Sequence, residues 1–81
     1  MATTERFSEG DRVRFTVPNL GALAISPEHG RPYFVDRHYG PQDEGIIVNT
    51  ELPDGWIAVL PDEREPEVLY VPVHPGMIEA A

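Results

Sequence analysis

Apolar and polar residues alternate along several short stretches of the chain, a pattern typical of β-strands that bury one face. The stretches are residues 12–17, 45–52, 56–60 and 68–73. Their apolar faces consist, strand by strand, of Val13, Phe15 and Val17; Ile46, Val48 and Leu52; Ile57 and Val59; and Leu69, Val71 and Val73. Ile47 interrupts the alternation in the second stretch, which indicates partial burial of both of its faces. The pattern predicts four short strands.

Proline and glycine mark the ends of these strands. Pro53-Asp54-Gly55 is a strong turn signal, because proline sets the first corner, aspartate bonds to its own backbone and glycine accepts a positive φ. Residues 61–66 form a charged loop with a proline at each end. Pro72 cannot donate to a neighbouring strand, so an edge or terminal position is expected for it. Residues 75–79 predict a turn and a short closing strand.

Residues 18–44 are the long exception to this alternation. Long connections inside compact domains usually carry function or contain a local element. Residues 20–25 are apolar enough for a helical turn or for packing under the sheet, and residues 31–40 gather two Tyr, one Phe, two Arg and one His. We expect a long loop here, and its second half is the preferred candidate for a working surface.

The length of 81 residues corresponds to one domain, and 9 Pro with 7 Gly favour short strands over long helices. Residues 1–6 are small and polar and are expected to be frayed, with a single domain over residues 7–81. Four or five antiparallel strands with tight turns, in a chain too short for a two-sheet sandwich, favour an all-β, small, partly open barrel with a long loop after the first strand.

Charge restricts the classes of partner. The chain has 6 basic residues, all of them arginine, against 14 acidic ones, for a formal charge of -8. Nucleic-acid binding needs clustered cations and anionic membranes attract them, so both partners are disfavoured. The sequence has no apolar run long enough to span a membrane and no signal-peptide pattern at its start, which predicts a cytoplasmic protein.

No residue pattern predicts catalysis or metal binding. The chain has no cysteine, which excludes disulfides and thiolate metal sites. His29, His38 and His74 lack the spacing of metal motifs, Ser8 and Ser26 lack the context of a catalytic nucleophile, and no glycine-rich phosphate loop is present. We therefore expect a protein that is not an enzyme and takes no cofactor.

Two stretches resemble the opening strands of SH3-like small barrels. They are Phe7-x-x-Gly10-Asp11-Arg12-Val13 and Glu44-Gly45-Ile46-Ile47-Val48, in which the resemblance implies that Gly45 admits a sharp bend. The stretch between them is similar to the barrel domain of the nitrile hydratase β subunit, which follows its first strand with a His-x-Arg-x-Pro-x-Tyr-x-Arg-Gly loop. The corresponding residues are His29, Arg31, Pro32, Tyr33, Arg37 and Gly40, although Arg31 and Pro32 are adjacent here. In that family the metal lies on a cysteine cluster of the other subunit, so the resemblance implies a partner-facing or accessory role.

These observations favour a non-enzymatic protein-binding or assembly module, a class that includes phage or actinobacterial structural and accessory proteins. Its contact surface would be the 18–44 loop, with Arg31, Tyr33, Arg37 and Tyr39 as anchors, since tyrosine and arginine are enriched at interface hot spots. The aromatic rings of this loop could instead cover an open barrel end. Trp56 either plugs the barrel rim or joins the contact surface. On the contact-surface hypothesis, joint replacement of Tyr33 and Tyr39 by alanine abolishes binding and leaves the Tm nearly unchanged.

Other functions remain as alternatives. Self-association is one, because an open barrel has free edges. A second is an accessory subunit or maturation factor of a nitrile-hydratase-like metalloenzyme. A third is an acidic mimic that inhibits a nucleic-acid-binding protein, for which Glu63, Glu65 and Glu67 would alternate along a strand edge.

Overall fold

The computed structural model describes residues 7–26, 28–64 and 66–81, apart from the side chain of Asp36. The expected frayed segment, 1–6, lies outside the described residues. Within them the chain forms seven strands: β1 Arg12–Phe15, β2 Leu20–Ile25, β3 Pro32–Tyr39, β4 Glu44–Asn49, β5 Ile57–Pro61, β6 Val68–Val73 and β7 Ile78–Ala80. Short 3-10 turns at Pro53–Gly55 and Pro75–Met77 precede β5 and β7.

The strands form one antiparallel sheet in the order β3-β2-β6-β5-β4-β1-β7. The described parts of the chain contain no α-helix. The predicted all-β antiparallel class is therefore confirmed. The strand predicted at 68–73 has the observed bounds, and the closing turn and strand are present at 75–80.

The connection expected to be a long loop is in fact a β-hairpin. Strands β2 and β3 pair from Leu20↔Tyr39 to Ile25↔Pro32, which raises the strand number above the four or five predicted. The hairpin turn closes where the amide of Gly30 donates to the carbonyl oxygen of Ser26 over 2.8 Å. Strand β2 shows no alternation in sequence because small alanines, Ala22 and Ala24, form its buried face, with larger apolar residues between them.

One face of the sheet forms the core. In β4 and in the first part of β6, the buried positions differ from those predicted. In β4 the buried side chain is that of Ile47, while Ile46 and Val48 are exposed, so the predicted apolar face is the outer one. The core consists of Phe7, Val13, Phe15, Ala22, Tyr39, Ile47, Ile57, Val59, Val68, Val71, Val73 and Ile78. Ile47 is the residue that interrupted the alternation, because it is the strand's core residue.

Strand β6 changes phase within its length. Val68 and Val71 are both buried, whereas Leu69, expected to share the face of Val71, is exposed. The pairing Leu23↔Tyr70 is followed by Ala24↔Val68, so β6 contains one more residue than β2 at this point. Such a bulge turns the side chains beyond it to the opposite face.

Pro72 lies in an interior strand, but it is paired with a neighbouring strand on one side only. Strand β6 has β5 on one side, where Pro72 pairs with Ala58, and β2 on the other. The β2–β6 pairs include Tyr70 and Val68 only, so Pro72 lies past the last pair on that side. The absence of its N–H therefore leaves the β2–β6 pairing intact, and the expected edge position exists only locally.

Candidate functional site

An exposed groove of about 370 Å³ lies on the face of the sheet opposite the core. It is lined by Phe34, Leu52, Pro53, Asp54, Trp56, Tyr70 and Pro72, and we call it the aromatic groove. Its side chains come from β3, from the β4–β5 connection and from β6. Except for Asp54, every lining residue is apolar or aromatic, which is the composition of a binding surface rather than of a solvated one.

Strand register explains why two of its rings meet. Phe34 of β3 pairs with Leu23 of β2, and Leu23 pairs with Tyr70 of β6. Directly paired residues of neighbouring strands project to the same face. The three therefore form one row on the outer face, with Pro72 two residues beyond Tyr70 on the same side.

The position of the Phe34 ring depends on a glycine in the neighbouring strand β2. The Phe34 ring covers Gly21, since a Cβ added to that glycine would lie 2.9 Å from the Phe34 Cδ1 atom. Gly21 is two residues from Leu23, the direct partner of Phe34, so the ring crosses the sheet diagonally. A side chain at position 21 would occupy the space of the ring. Phe34 remains 65% exposed and forms one wall of the groove.

Trp56 forms another wall and is held by His74. Their ring centroids are 3.9 Å apart with an interplanar angle of 43°. Both residues lie just beyond the last β5–β6 pair, Ile57↔Val73, so the sheet register places them side by side. The amide of Trp56 donates to the carbonyl oxygen of Pro53 over 3.3 Å, which connects the backbone of Trp56 to the preceding turn.

That turn presents Asp54 at the rim of the groove. Asp54 and Gly55 have φ values of 61° and 80°, which confirms the predicted turn and its positive φ at glycine. Aspartate is among the few residues that tolerate the left-handed region. Within the described part of the chain the Asp54 carboxylate has no ion pair or hydrogen bond. Asp54 is therefore an exposed acidic residue beside the groove whose carboxylate has no partner among the described residues.

The five residues predicted to bind a partner do not lie together in one site. Trp56 lines the groove, but Arg31, although exposed, does not. Tyr33 is 42% exposed and, as the neighbour of Phe34 in β3, projects to the other face of that strand. The guanidinium of Arg37 lies 4.6 Å from the centroid of the Tyr39 ring and 4.0 Å from a carboxylate oxygen of Glu63.

Tyr39 was expected to be a contact anchor and is instead a core residue. Its side chain is 1% exposed, and its ring centroid lies 6.2 Å from that of Phe15. A residue buried to this degree cannot contact a partner unless the fold opens. Alternation along β3 buries Tyr39 while its neighbour His38 stays exposed, a phase that could not be assigned while the segment was interpreted as a loop.

Sequence reasoning did not identify Tyr70, Pro72 and Leu52 as site residues. Alternation with the buried Val71 and Val73 already places Tyr70 and Pro72 on the outer face of β6, but it does not show which other side chains meet them there. Phe34 was noted within the aromatic segment without being chosen as an anchor. Its adjacency to Trp56 and Tyr70 depends on pairing between residues far apart in the chain.

A second cavity, of about 330 Å³, is lined by Gln42, Asp43, Glu44, Asp62 and Glu63. Arg12 already binds two of its carboxylates, with distances of 2.6 Å to Asp62 and 3.1 Å to Glu44. The loop that holds Glu63 and Glu67 is not a strand edge, and Glu65 lies outside the described residues.

Two searches for other kinds of site or segment are negative over residues 7–26, 28–64 and 66–81. No group of three or more His, Cys, Asp or Glu side chains is placed to hold a metal ion. In the same residues no helix has the length and apolar character needed to cross a membrane. The aromatic groove is therefore the feature on which a functional argument can be built.

Comparison of the chain with protein-family models, with curated proteins and with solved structures finds no match.

Proposed function

We propose that the chain is a non-enzymatic protein-binding module and that the aromatic groove is its contact surface. The observation that carries this proposal is that three aromatic residues, the exposed Phe34 and the half-buried Trp56 and Tyr70, line one apolar groove. Aromatic residues are enriched at the centres of protein interfaces, where they supply most of the binding free energy. Contiguous apolar surface of this kind commonly marks a site of interaction.

The groove is also pre-organised for binding. The Trp56 ring packs against His74 in a tilted arrangement, and the Phe34 ring lies over Gly21. Side chains that are already held in place lose little conformational entropy when a partner binds. Phe34 and Tyr70 lie on paired strands, which fixes the backbone from which both rings project.

The proposed contact surface overlaps only in part with the surface predicted from the sequence. The β2–β3 hairpin still contributes through Phe34, and Trp56 remains a contact residue. Arg31 and Tyr33 are accessible but lie outside the groove. Tyr39 is a core residue, and Arg37, half-buried over its ring, lies outside the groove.

The test compares a groove variant with a matched surface variant. Tagged wild-type protein captures partners from nuclease-treated lysate of the native host, and the partner is then purified and titrated by calorimetry. Phe34→Ser should raise the Kd about tenfold or more, because it removes an exposed contact ring. Ile25→Ser, on the same hairpin and 37% exposed but outside the groove, should leave it nearly unchanged. Equal affinity of the wild type and Phe34→Ser would contradict the proposal.

The identity of the captured protein also decides between the alternatives. A cysteine-rich metal protein would point to an accessory subunit of a metalloenzyme. A basic nucleic-acid-binding protein released by moderate salt and insensitive to Phe34→Ser would point to acidic mimicry, because such attraction is screened. Recovery of the bait alone would point to self-association.

A further inference from the structure

We infer that the aromatic groove recognises an arginine side chain carried by an extended segment of the partner protein. This inference rests on the proposed function and names the chemistry of the partner. It is argued from the charge at the rim of the groove, from the character of its walls and from a contact of the same kind elsewhere in the molecule.

The charge around the groove favours a cationic group of the partner. Among the described residues that line it, Asp54 is the one charged residue and none is basic. Among the described residues the Asp54 carboxylate has no basic partner. The whole chain has a formal charge of -8, so its field also attracts positive groups. A cationic partner group is therefore electrostatically complementary to this site.

The aromatic walls of the groove favour a guanidinium over an ammonium group. An ammonium group is compact and strongly hydrated, so burying it against Phe34, Trp56 and Tyr70 would cost much of its hydration. A guanidinium is weakly hydrated and planar, so it can stack on an aromatic face and still bond a carboxylate through two N–H groups. Aromatic walls with a single carboxylate at the rim thus favour arginine over lysine.

The molecule already contains such a contact. The guanidinium of Arg37 lies 4.6 Å from the centroid of the Tyr39 ring, with the Glu63 carboxylate 4.0 Å from its Nη2 atom. The same three components, an aromatic ring, a guanidinium and an acid, would meet in the groove once a partner arginine enters. There the ring and the acid come from this chain, and the guanidinium from the partner.

The volume of the groove indicates a peptide segment rather than an isolated guanidinium. Pockets that hold drug-sized ligands range from about 300 to 1,000 Å³, and this groove is near the lower end. Leu52, Pro53 and Pro72 provide apolar surface for the aliphatic stem of the arginine and for a neighbouring residue. The groove is open to solvent, which suits an extended chain crossing the surface.

The test uses three peptides that differ at one side chain. A five-residue capped peptide carries a central arginine flanked by glycine and alanine, and its counterparts carry lysine or citrulline at the centre. Trp56 is the sole tryptophan of the chain, so its fluorescence reports occupation of the groove directly. The arginine peptide should change the emission saturably, with a Kd at least about tenfold below that of the neutral citrulline peptide and several-fold below that of the lysine peptide.

Two variants identify the charge responsible. Asp54→Asn should remove the preference for arginine over citrulline, and asparagine also tolerates the left-handed backbone at this position, so the turn is retained. Glu9→Gln removes the same charge from an exposed turn outside the groove and should keep the preference. Retention of the preference in Asp54→Asn would overturn the inference.

The remaining outcomes separate this inference from the proposed function. Equal binding of the arginine and citrulline peptides, or no saturable change up to about 10 mM peptide, overturns the arginine site. If a purified partner still depends on Phe34, the protein-binding function survives that result. Dimerisation of the chain that Phe34→Ser abolishes would assign the groove to a second copy and also overturn the inference.

Discussion

The hydroxyl of Tyr39 donates a 3.0 Å hydrogen bond to the main-chain carbonyl oxygen of Glu63. It connects the end of β3 to the loop between β5 and β6, two segments that are 24 residues apart in sequence. The ring of the same tyrosine packs in the core beside Phe15. Tyr39 therefore joins the β2–β3 hairpin to the rest of the sheet.

The first prediction concerns the stability that Tyr39 provides. Tyr39→Phe removes the hydrogen bond and should lower the free energy of unfolding by about 1 kcal/mol. Tyr39→Ala also empties a core site and should cost about 3–5 kcal/mol, a large share of the stability of a small domain. Urea denaturation of the two variants measures both values. A cost below about 1 kcal/mol for Tyr39→Ala would show that the ring is not part of the core.

The second prediction concerns the close approach of two strands at Gly45. A Cβ at this position would lie 2.5 Å from the Leu60 carbonyl oxygen and 2.9 Å from the Val59 Cγ1 atom. Gly45→Ala must therefore move the backbone of β5 and should destabilise the protein by about 1–3 kcal/mol. Steric contact with β5 is thus a sufficient reason for glycine at this position.

Gly76→Ala is the matched control for that experiment. No atom lies within 4 Å of a Cβ added at Gly76, and its φ is not positive. Its effect on the free energy of unfolding should stay within about 0.5 kcal/mol. Equal destabilisation by the two alanines would contradict the steric argument.

The third prediction separates binding from stability at Gly21. Gly21→Ala places a methyl group 2.9 Å from the Phe34 Cδ1 atom, and the exposed ring can swing away from it. The Tm should therefore change little, while partner affinity falls several-fold because a wall of the groove has moved. Adding Phe34→Ser to Gly21→Ala should produce no further loss beyond that of Phe34→Ser alone. Additive losses in this double-mutant cycle would show that the two positions act independently.

The fourth prediction concerns the ion pairs of Arg12. Its guanidinium binds Asp62 and Glu44 at the surface, and Arg12→Gln should lower the Tm slightly at low salt and hardly at all at high salt. Hydrogen bonds to Asp62 and then Glu44 raise the pKa of Arg12. A raised pKa means that the contribution of Arg12 is lost only as the pH rises through that high value. The Tm difference should thus be the same at neutral and moderately alkaline pH, and a loss between them would contradict the assignment.

The strands predictable from sequence were those with alternating residues or strong turns. Strands β1, β5 and β6 and the turn at 53–55 follow directly from such local signals. Strand β2 did not, because its buried face consists of alanines and the residues between them are also apolar. In β6 local alternation gave the correct face for Val71 and Val73 but not for Leu69, since the bulge is defined by the pairing of β6 with β2.

The candidate site was only partly predictable for a related reason. Trp56 was identified because a tryptophan beside a turn is a visible feature of the sequence. The row of Phe34, Leu23 and Tyr70 depends on two strand registers, and the place of Phe34 depends on a glycine in the neighbouring strand. These are relationships between distant residues, which composition and periodicity do not encode.

The eight-residue strand β3 has consequences for the solubility of the folded protein. Among the described residues its strand pairs are with β2 alone, so its other edge offers main-chain groups to any extended chain. The strand begins with Pro32, which lacks an N–H, and carries the polar residues Arg37 and His38 near its end. Such residues discourage the edge-to-edge pairing from which aggregates grow. Pairing of β3 with a further strand is therefore opposed by Pro32 at its start and by Arg37 and His38 near its end.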